Sequence, residues 1–406
     1  MTPQKRENRI IFICWLAYAA AYVGRLNYSA SIVAIVADMG VTKAQAGLVA
    51  SMFFFAYGTG QLVNGILSKR YNSRIMVFFS LFVSSLLNLA MPLSGSISAM
   101  KYIWLANGAV QSILWSTLIK TISENVSDGK ISKAIVVMST PVAAGTLPAY
   151  ALSSLFVKYS TWKTTFYVSA AVLLAVSIVW FVLYGSEKTP AKEAAVSSAS
   201  RSKKGLSKAF LLCIITIAFA GIANGFTKDG INTWVSSVLY EEFGISQSFS
   251  IMLTLLLPLV SLAGASLVAA IHKKVRIMSD MDSAFFALAA LACFGVLISL
   301  RHRSIVPLMI CFVLVACLMS MANNVITSVF PLESRNKLGS GFLAGFLNTF
   351  CYVGSTLTSY SLGKVSQQSG WNAVFIIMLA VCGAAAVASL IGSITERKEN
   401  NNDNSN

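Results

Sequence analysis

Long apolar stretches, separated by short polar ones, run through nearly the whole chain. A run of about 20 apolar residues is long enough to cross a bilayer as a helix. Such runs lie at 10–37, 46–68, 75–95, 99–123, 132–157, 164–184, 209–240, 249–271, 282–300, 304–328, 339–364 and 371–394. The pattern predicts an all-α membrane protein with twelve transmembrane helices in two sets of six.

The two sets are separated by a polar stretch at 185–208, which is rich in Ser, Ala and Lys and has no apolar periodicity. Such a composition is typical of a flexible linker. We therefore expect an N-terminal six-helix bundle over 1–184, a cytoplasmic linker over 185–208 and a C-terminal six-helix bundle over 209–394. The polar residues 395–406 are predicted to form a disordered tail.

Composition and charge agree with a membrane protein. The chain is 56% hydrophobic and only 11% charged, which excludes a water-soluble globular domain. Most of the 31 Lys and Arg fall in the tails and in the loops of one side. The positive-inside rule then places both termini in the cytoplasm of a plasma (bacterial inner) membrane. The net charge of +16 follows from this bias, so no nucleic-acid partner is predicted.

Each half carries one cation deep inside its first, unusually long apolar run: Arg25 in the first half and Lys228 in the second. A charge at the centre of a membrane helix costs roughly 2.5 to 3.5 kcal/mol on insertion scales, so it usually has a function. The matching positions predict a paired cationic site that holds an anion between the two bundles, near the middle of the membrane.

Polar side chains around Arg25 repeat with helical spacing. Tyr18, Tyr22, Arg25 and Ser29 lie four, three and four residues apart and therefore share one helical face. The planar guanidinium can bind two oxygens of a phosphate, sulfonate or carboxylate together. The structural alternative is an arginine that pairs with an acid to hold helices together.

Lys228 is a point charge and makes a single contact where an arginine could make two. A carboxylate or a singly charged head group suits it at least as well as a doubly charged phosphate. The alternative is that Lys228 neutralises Asp229, the neighbouring acid within the same apolar run. Asp229 is itself a possible proton carrier, with helix packing as the competing interpretation.

Other polar residues inside apolar runs are candidates to line a cavity, with packing as the alternative. Gln111 and Trp115 are spaced i, i+4, as are Asn348 and Tyr352, and Asn324 is a further polar candidate. Lys120 is expected to anchor its helix at the interface. The seven cysteines lie within apolar runs without metal-ligand spacing, so we predict no metal and no cofactor.

Several segments together resemble the organophosphate:phosphate antiporters of the major facilitator superfamily, the glycerol-phosphate and hexose-phosphate transporters. The first run reads Tyr18-Ala-Ala-Ala-Tyr22-Val-Gly-Arg25-Leu-Asn27-Tyr-Ser. The loop after the second reads Gly65-Ile-Leu-Ser-Lys69-Arg70-Tyr-Asn72-Ser-Arg74. The others are Tyr57-Gly58; Gly108 with Gln111 and Trp115; Gly225-Phe-Thr-Lys228-Asp-Gly230-Ile-Asn-Thr-Trp234; and Gly341-Phe-Leu-Ala-Gly345 through Tyr352-Val-Gly354 to Gly370-Trp371.

The resemblance implies a major facilitator fold of two pseudo-symmetric bundles and a phosphate site formed by cations and tyrosines. By position it implies substrate contacts from Arg25, Tyr18, Tyr22, Tyr57, Gln111, Trp115 and Tyr352. The chain departs from the family at Lys228, Gln61, Pro141 and Pro258, where the family has arginine, lysine, histidine and glutamate. We keep Gln61 and Asn348 among the candidates, and expect a cytoplasmic gate formed by Gly65, Arg70 and Arg74.

The leading hypothesis is a secondary active transporter of a small organic anion, working by alternating access. The resemblance implies exchange of a phosphorylated metabolite for inorganic phosphate, by a monomer embedded in the lipid bilayer. The alternative within transport is proton- or sodium-coupled symport of an organic anion such as a sugar acid, with Asp229 as carrier. A non-transporting receptor or a membrane enzyme is the remaining class. The sequence has no Ser-His-Asp or Cys-His constellation, and we predict that the protein is not an enzyme.

Overall fold

The computed structural model describes residues 3–67, 72–138, 140–185, 207–272, 275, 277–334, 338 and 340–404. Every regular element in these ranges is helical. The first half contains α1 (Pro3–Met39), α2 (Lys43–Leu67), α3 (Ser73–Leu93), α4 (Ile97–Asn125), α5 (Asp128–Met138), α6 (Pro141–Tyr159) and α7 (Trp162–Gly185). The second half contains α8 (Lys208–Phe243), α9 (Gln247–Thr254), α10 (Leu256–His272), α11 (Met278–Arg301), α12 (Ile305–Asn324), α13 (Phe330–Glu333) and α14 (Ser340–Asn404).

Each of the twelve predicted runs coincides with a helix or with a broken helix. The run at 132–157 is divided between α5 and α6, and Pro141 begins α6 because its missing N–H is tolerated in the first turn. The run at 304–328 ends in a π-helical turn, Val325–Val329. The last two runs are joined in α14, where Gly370 breaks the helix with φ 77° and ψ 176°. That conformation favours glycine.

Nine helices of the described part are long and apolar enough to cross a membrane. The ninth, Phe342–Arg397, is counted once although Gly370 divides it. The 29-residue α4 and the 17-residue α10 are not among the nine. The prediction of an all-α membrane protein is confirmed, whereas the count of twelve spans stays a prediction.

The chain forms two compact units whose boundaries differ slightly from the predicted bundles. Unit 1 contains α1, α2 from Leu48 onward, α3 to α7, and the segment Ser246–Leu255 with α9. Unit 2 contains Thr42–Gly47, α8 and α10 to α14. Thr42–Gly47, at the start of α2, therefore belongs to unit 2. The segment Ser246–Leu255 with α9, at the start of the run at 249–271, belongs to unit 1. Most of the predicted linker, 186–206, lies outside the described residues.

Close helix contacts in unit 1 are made at glycines of α4 and α6. A Cβ atom added at Gly108 would lie 2.3 Å from the carbonyl oxygen of Phe53, and one added at Gly145 would lie 2.2 Å from that of Ala19. Only glycine permits backbones to approach this closely. These contacts bring α2 against α4 and α1 against α6, around the segment that carries Arg25.

Unit 2 is built around an equally close contact between α8 and α14. A Cβ at Gly225 would lie 1.8 Å from the carbonyl oxygen of Cys351, and one at Gly354 would lie 1.9 Å from that of Ile222. Gly345, by contrast, is exposed and faces open space. Gly354, rather than Gly345, therefore makes the close helix contact.

The polar C-terminal segment is helical as far as Asn404, although the sequence predicts disorder over 395–406. Glu396 explains the continuation, because its carboxylate accepts hydrogen bonds from the backbone N–H groups of Met278 and Ser279, each at 3.0 Å. Arg397 pairs with Asp280 at 2.8 Å. A carboxylate at the first turn of α11 satisfies donors that have no partner within that helix.

Candidate anion-binding site

Arg25 is buried in unit 1 and stacked against aromatic rings. Its side chain projects from α1 and is 6% exposed. The guanidinium carbon lies 4.1 Å from the ring centroid of Tyr57, 4.5 Å from that of Tyr22 and 5.5 Å from that of Phe53. Cation–π contacts of this kind stabilise a desolvated guanidinium without neutralising its charge. The arrangement keeps a positive group inside an apolar bundle.

Gln111 on α4 contacts the same guanidinium. The Nε of Arg25 donates to the Gln111 side-chain oxygen at 3.2 Å. The Gln111 amide nitrogen donates to the hydroxyl of Ser84 at 2.9 Å and to the side-chain oxygen of Asn107 at 3.4 Å. Gln111 is fully buried. Its amide is engaged by protein groups at both ends.

Further hydrogen bonds between buried polar side chains lead from Gln111 to the backbone beside Arg25. The carbonyl oxygen of Gly24 accepts from the amide nitrogens of Asn88 at 3.1 Å and Asn107 at 3.2 Å. Asn27 donates to the side-chain oxygen of Asn88 at 2.7 Å. Sequence reasoning missed Ser84, Asn88 and Asn107. The available signal was their spacing, since Ser84–Asn88 and Asn107–Gln111 are i, i+4 pairs of polar residues in apolar runs.

The remaining candidates of unit 1 surround Arg25 or its aromatic partners. The Tyr18 ring lies 5.3 Å from that of Tyr22 and 4.8 Å from that of Trp115, centroid to centroid. Gln61 donates to the Tyr57 hydroxyl at 3.0 Å. The structure therefore brings together all the predicted substrate-binding residues of the first half. They are Tyr18, Tyr22, Arg25, Tyr57, Gln61, Gln111 and Trp115.

Lys228 in unit 2 has different surroundings. It is half-buried on α8, and no hydrogen bond or ion pair joins its ammonium group to a described residue. The neighbouring Asp229 instead accepts a hydrogen bond of 2.5 Å from the hydroxyl of Ser355 on α14. Direct neutralisation of Lys228 by Asp229 is thus not observed. That Lys228 and Arg25 serve one anion stays a prediction.

Asn348 and Tyr352 lie one turn apart on α14, and both are half-buried. Cys351, which lies between them in the sequence, is buried, and its carbonyl oxygen approaches Gly225 of α8. Asn324 ends α12 immediately before the π-helical turn and is also half-buried. These polar residues belong to the same unit as Lys228.

The predicted gate is described in part. Arg70 and Lys69 lie outside the described residues, and Gly65 lies in the last turns of α2. Arg74 donates from its Nε and one Nη to the carbonyl oxygen of Phe181, at 3.2 and 3.0 Å. This contact joins the start of α3 to the end of α7, where unsatisfied carbonyls favour a cation.

Besides Asp229, a second acid is buried within an apolar helix, and it was not among the predicted candidates. Asp282 on α11 is 1% exposed, and neither of its carboxylate oxygens has a hydrogen-bond partner among the described residues. The predicted run begins at residue 282, so the apolar pattern places this acid at the border of the run. No group of three or more His, Cys, Asp or Glu in the described part of the chain could hold a metal ion.

The fold is that of a polytopic α-helical membrane protein. The chain superposes on a bacterial homologue of the human lysosomal transporter Spinster, in an inward-facing and unoccupied conformation, with a TM-score of 0.79 and 13% identity. The match covers 97% of this chain and 98% of that one. At this identity the likeness shows the fold.

The model of the Major Facilitator Superfamily matches residues 14–357, and the chain belongs to that superfamily. Similar curated proteins include a probable hexose phosphate transport protein of Chlamydia pneumoniae, 22% identical over 94% of this chain and 90% of its own length. The membrane sensor protein UhpC of Escherichia coli is 21% identical, covering 95% and 91%. The hexuronate transporter of Bacillus subtilis is 23% identical, covering 95% and 94%. The resemblance to the organophosphate:phosphate antiporters is confirmed.

Proposed function

We propose that this protein exchanges a phosphorylated metabolite for inorganic phosphate by alternating access. The observation that carries the proposal is the buried guanidinium of Arg25, held by two tyrosine rings and a glutamine amide. A guanidinium in a low-dielectric site binds two oxygens of one phosphate through parallel, charge-assisted hydrogen bonds. Retaining such a group inside a bundle is costly unless it binds an anion during transport.

The candidate anion ligands of unit 1 are Arg25 and its aromatic neighbours, and those of unit 2 are the polar groups around Lys228. Lys228 contributes a second positive charge, and the half-buried Asn348 and Tyr352 contribute hydrogen bonds. Gln111 acts on the anion through Arg25, because its amide is engaged within the protein. Gly65, Arg70 and Arg74 form the cytoplasmic gate, and Arg74 already binds the end of α7.

Coupling by exchange requires no proton carrier. A carrier that changes conformation only when its cations are occupied must return with a second anion, so the two fluxes are linked one for one. The name of the Chlamydia relative supports a hexose phosphate as the organic partner. The distribution of Lys and Arg supports a location in a plasma (bacterial inner) membrane with both termini in the cytoplasm. We propose that the protein acts there as a monomer.

The proposal is tested by counterflow in liposomes. Purified protein is reconstituted into vesicles loaded with inorganic phosphate, and uptake of labelled hexose phosphate is measured without a pH gradient. Uptake should exceed that of vesicles loaded with chloride and should be insensitive to a protonophore. Equal uptake in phosphate-loaded and chloride-loaded vesicles would contradict exchange.

Symport of a sugar acid is a second candidate, which the hexuronate-transporting relative and the half-buried Asp229 support. Here labelled hexuronate would enter vesicles that contain no exchangeable anion, and a protonophore or removal of sodium would abolish its uptake. Asp229→Asn would abolish this coupled uptake. The same variant would leave phosphate-driven exchange active, which separates the two candidates.

A further inference from the structure

The orientation of the Arg25 guanidinium depends on a chain of buried neutral groups that no ligand need touch. The chain runs from Arg25 to Gln111 on α4, to Ser84 on α3 and to Asn107 on α4. It returns through Asn107 to the carbonyl of Gly24, the residue before Arg25. Gln111, Ser84 and Asn107 are all fully buried.

The direction of every hydrogen bond in this chain is determined by its neighbours. Asn107 directs its amide nitrogen to the Gly24 carbonyl, so its oxygen accepts from Ser84 at 2.6 Å and from Gln111 at 3.4 Å. Gln111 must then present its nitrogen to Ser84 and Asn107, and its oxygen to Arg25. A flipped Gln111 amide would place N–H against N–H at Arg25 and oxygen against oxygen at Asn107, which leaves buried polar groups without partners.

This arrangement holds Arg25 at two points. Asn107 binds the backbone just before Arg25, and Gln111 binds the Nε of its side chain. The rings of Tyr22 and Tyr57 restrict the guanidinium from its faces. Because Nε donates to Gln111, the position of the Gln111 amide sets the angle at which the planar guanidinium is presented to an anion.

We infer that Ser84, Asn107 and Gln111 are positioning residues that set the affinity for the transported anion by orienting Arg25. This inference rests on the proposed function, since it assigns a role to residues behind the same site. Its physical basis is that a bidentate contact requires both nitrogens in place before the anion arrives. Loss of the support lowers binding while the steps that move the bundles stay intact.

The test is Ser84→Ala, with Ser85→Ala as matched control. Ser85 is the next residue on α3 and is 4% exposed. Its hydroxyl donates to the carbonyl of Ala170 at 2.7 Å and takes no part in the hydrogen bonds that lead to Arg25. In phosphate-driven exchange, Ser84→Ala should raise the half-saturating anion concentration about three- to tenfold, the effect of one hydrogen bond to a charged site. The maximal rate should stay within about twofold of wild type, and Ser85→Ala should change neither value.

A double-mutant cycle makes the inference specific. Gln111→Met preserves length and removes both ends of the amide, so Ser84→Ala added to it should cause no further rise. Ser84→Thr, which keeps the hydroxyl, should restore wild-type affinity. If Ser84→Ala does not reach the membrane, Gln111→Met alone is compared with Ser85→Ala, with the same expected rise.

Three results would overturn the inference: equal effects of Ser84→Ala and Ser85→Ala, a fall in maximal rate without a change in half-saturating concentration, or effects that multiply in the double variant. Failure of the proposed function has a different signature. In that case the wild-type protein itself would show no phosphate-driven uptake, whatever the variants do.

Discussion

Arg25 and Lys228 occupy matching positions in the two halves of this transporter but have different surroundings. Arg25 is 6% exposed, stacked on two tyrosine rings and hydrogen-bonded to Gln111. Lys228 is half-buried, and its neighbouring acid is bound by Ser355. The comparison teaches that duplicated halves need not contribute equally to anion binding. We expect the first half to orient the anion through Arg25 and the second half to provide positive charge through Lys228.

Apart from changes to Arg25 itself, the largest effect is expected from Gln111→Glu, which replaces a neutral partner of Arg25 by a carboxylate. The new acid would pair with the guanidinium and compete with every anionic substrate. A charge-assisted contact contributes about 1.5 to 3 kcal/mol, so the half-saturating anion concentration should rise by roughly ten- to a hundredfold. The exchange assay measures this rise, and thermal unfolding in detergent shows whether the variant is folded. Unchanged affinity in a folded variant would indicate that Arg25 does not bind the substrate.

A smaller effect is expected from Lys228→Ala, because a half-exposed charge is partly screened. Removing it should raise the half-saturating concentration by about tenfold for phosphate esters. Lys228→Arg keeps the charge and adds a second hydrogen-bonding position. If the second half provides charge alone, the half-saturating concentration of this variant should stay within about threefold of wild type. Exchange rates measured over a range of anion concentrations give this value. A loss as large as that of Lys228→Ala would instead assign a geometric role to Lys228.

The smallest effect is expected from Ser355→Ala, which removes the hydroxyl that binds Asp229. The released carboxylate can then approach the adjacent Lys228 and reduce its positive potential. We expect about a threefold rise in half-saturating concentration, the size of a partly screened ion pair. Ser366→Ala is the control, since Ser366 is buried on the same helix and its hydroxyl binds only the carbonyl of Gly363 among the described residues. Equal affinities in the two variants would mean that Ser355 does not tune Lys228.

Much of the fold could be predicted from the sequence because membrane helices are defined by local composition. Long apolar runs indicate the helices, and a charge inside such a run identifies Arg25 and Lys228. The break within the run at 132–157 was harder to predict, because Pro141 divides it into α5 and α6 within an apolar stretch. Gly370, by contrast, lies in the polar stretch 365–370 that separates the last two predicted runs.

The support of Arg25 could not be predicted because it depends on contacts between helices. Ser84 and Gln111 are 27 residues apart in sequence, and their hydrogen bond follows from the packing of α3 against α4. The same reason explains the C-terminal segment. Its composition is that of a disordered tail, but Glu396 binds backbone groups 118 and 117 residues earlier. Local composition carries no signal for such partners.

The most direct test of the central claim is anion binding to purified wild-type protein and to Arg25→Lys. Lysine keeps the charge but lacks the planar pair of donors. A ligand that binds only the folded protein raises the melting temperature in proportion to the logarithm of its excess over Kd. We predict that hexose phosphate and inorganic phosphate stabilise the wild type and leave Arg25→Lys unshifted, with both proteins melting alike when no ligand is added. An equal ligand-induced shift in the two proteins would contradict the claim that Arg25 binds the anion.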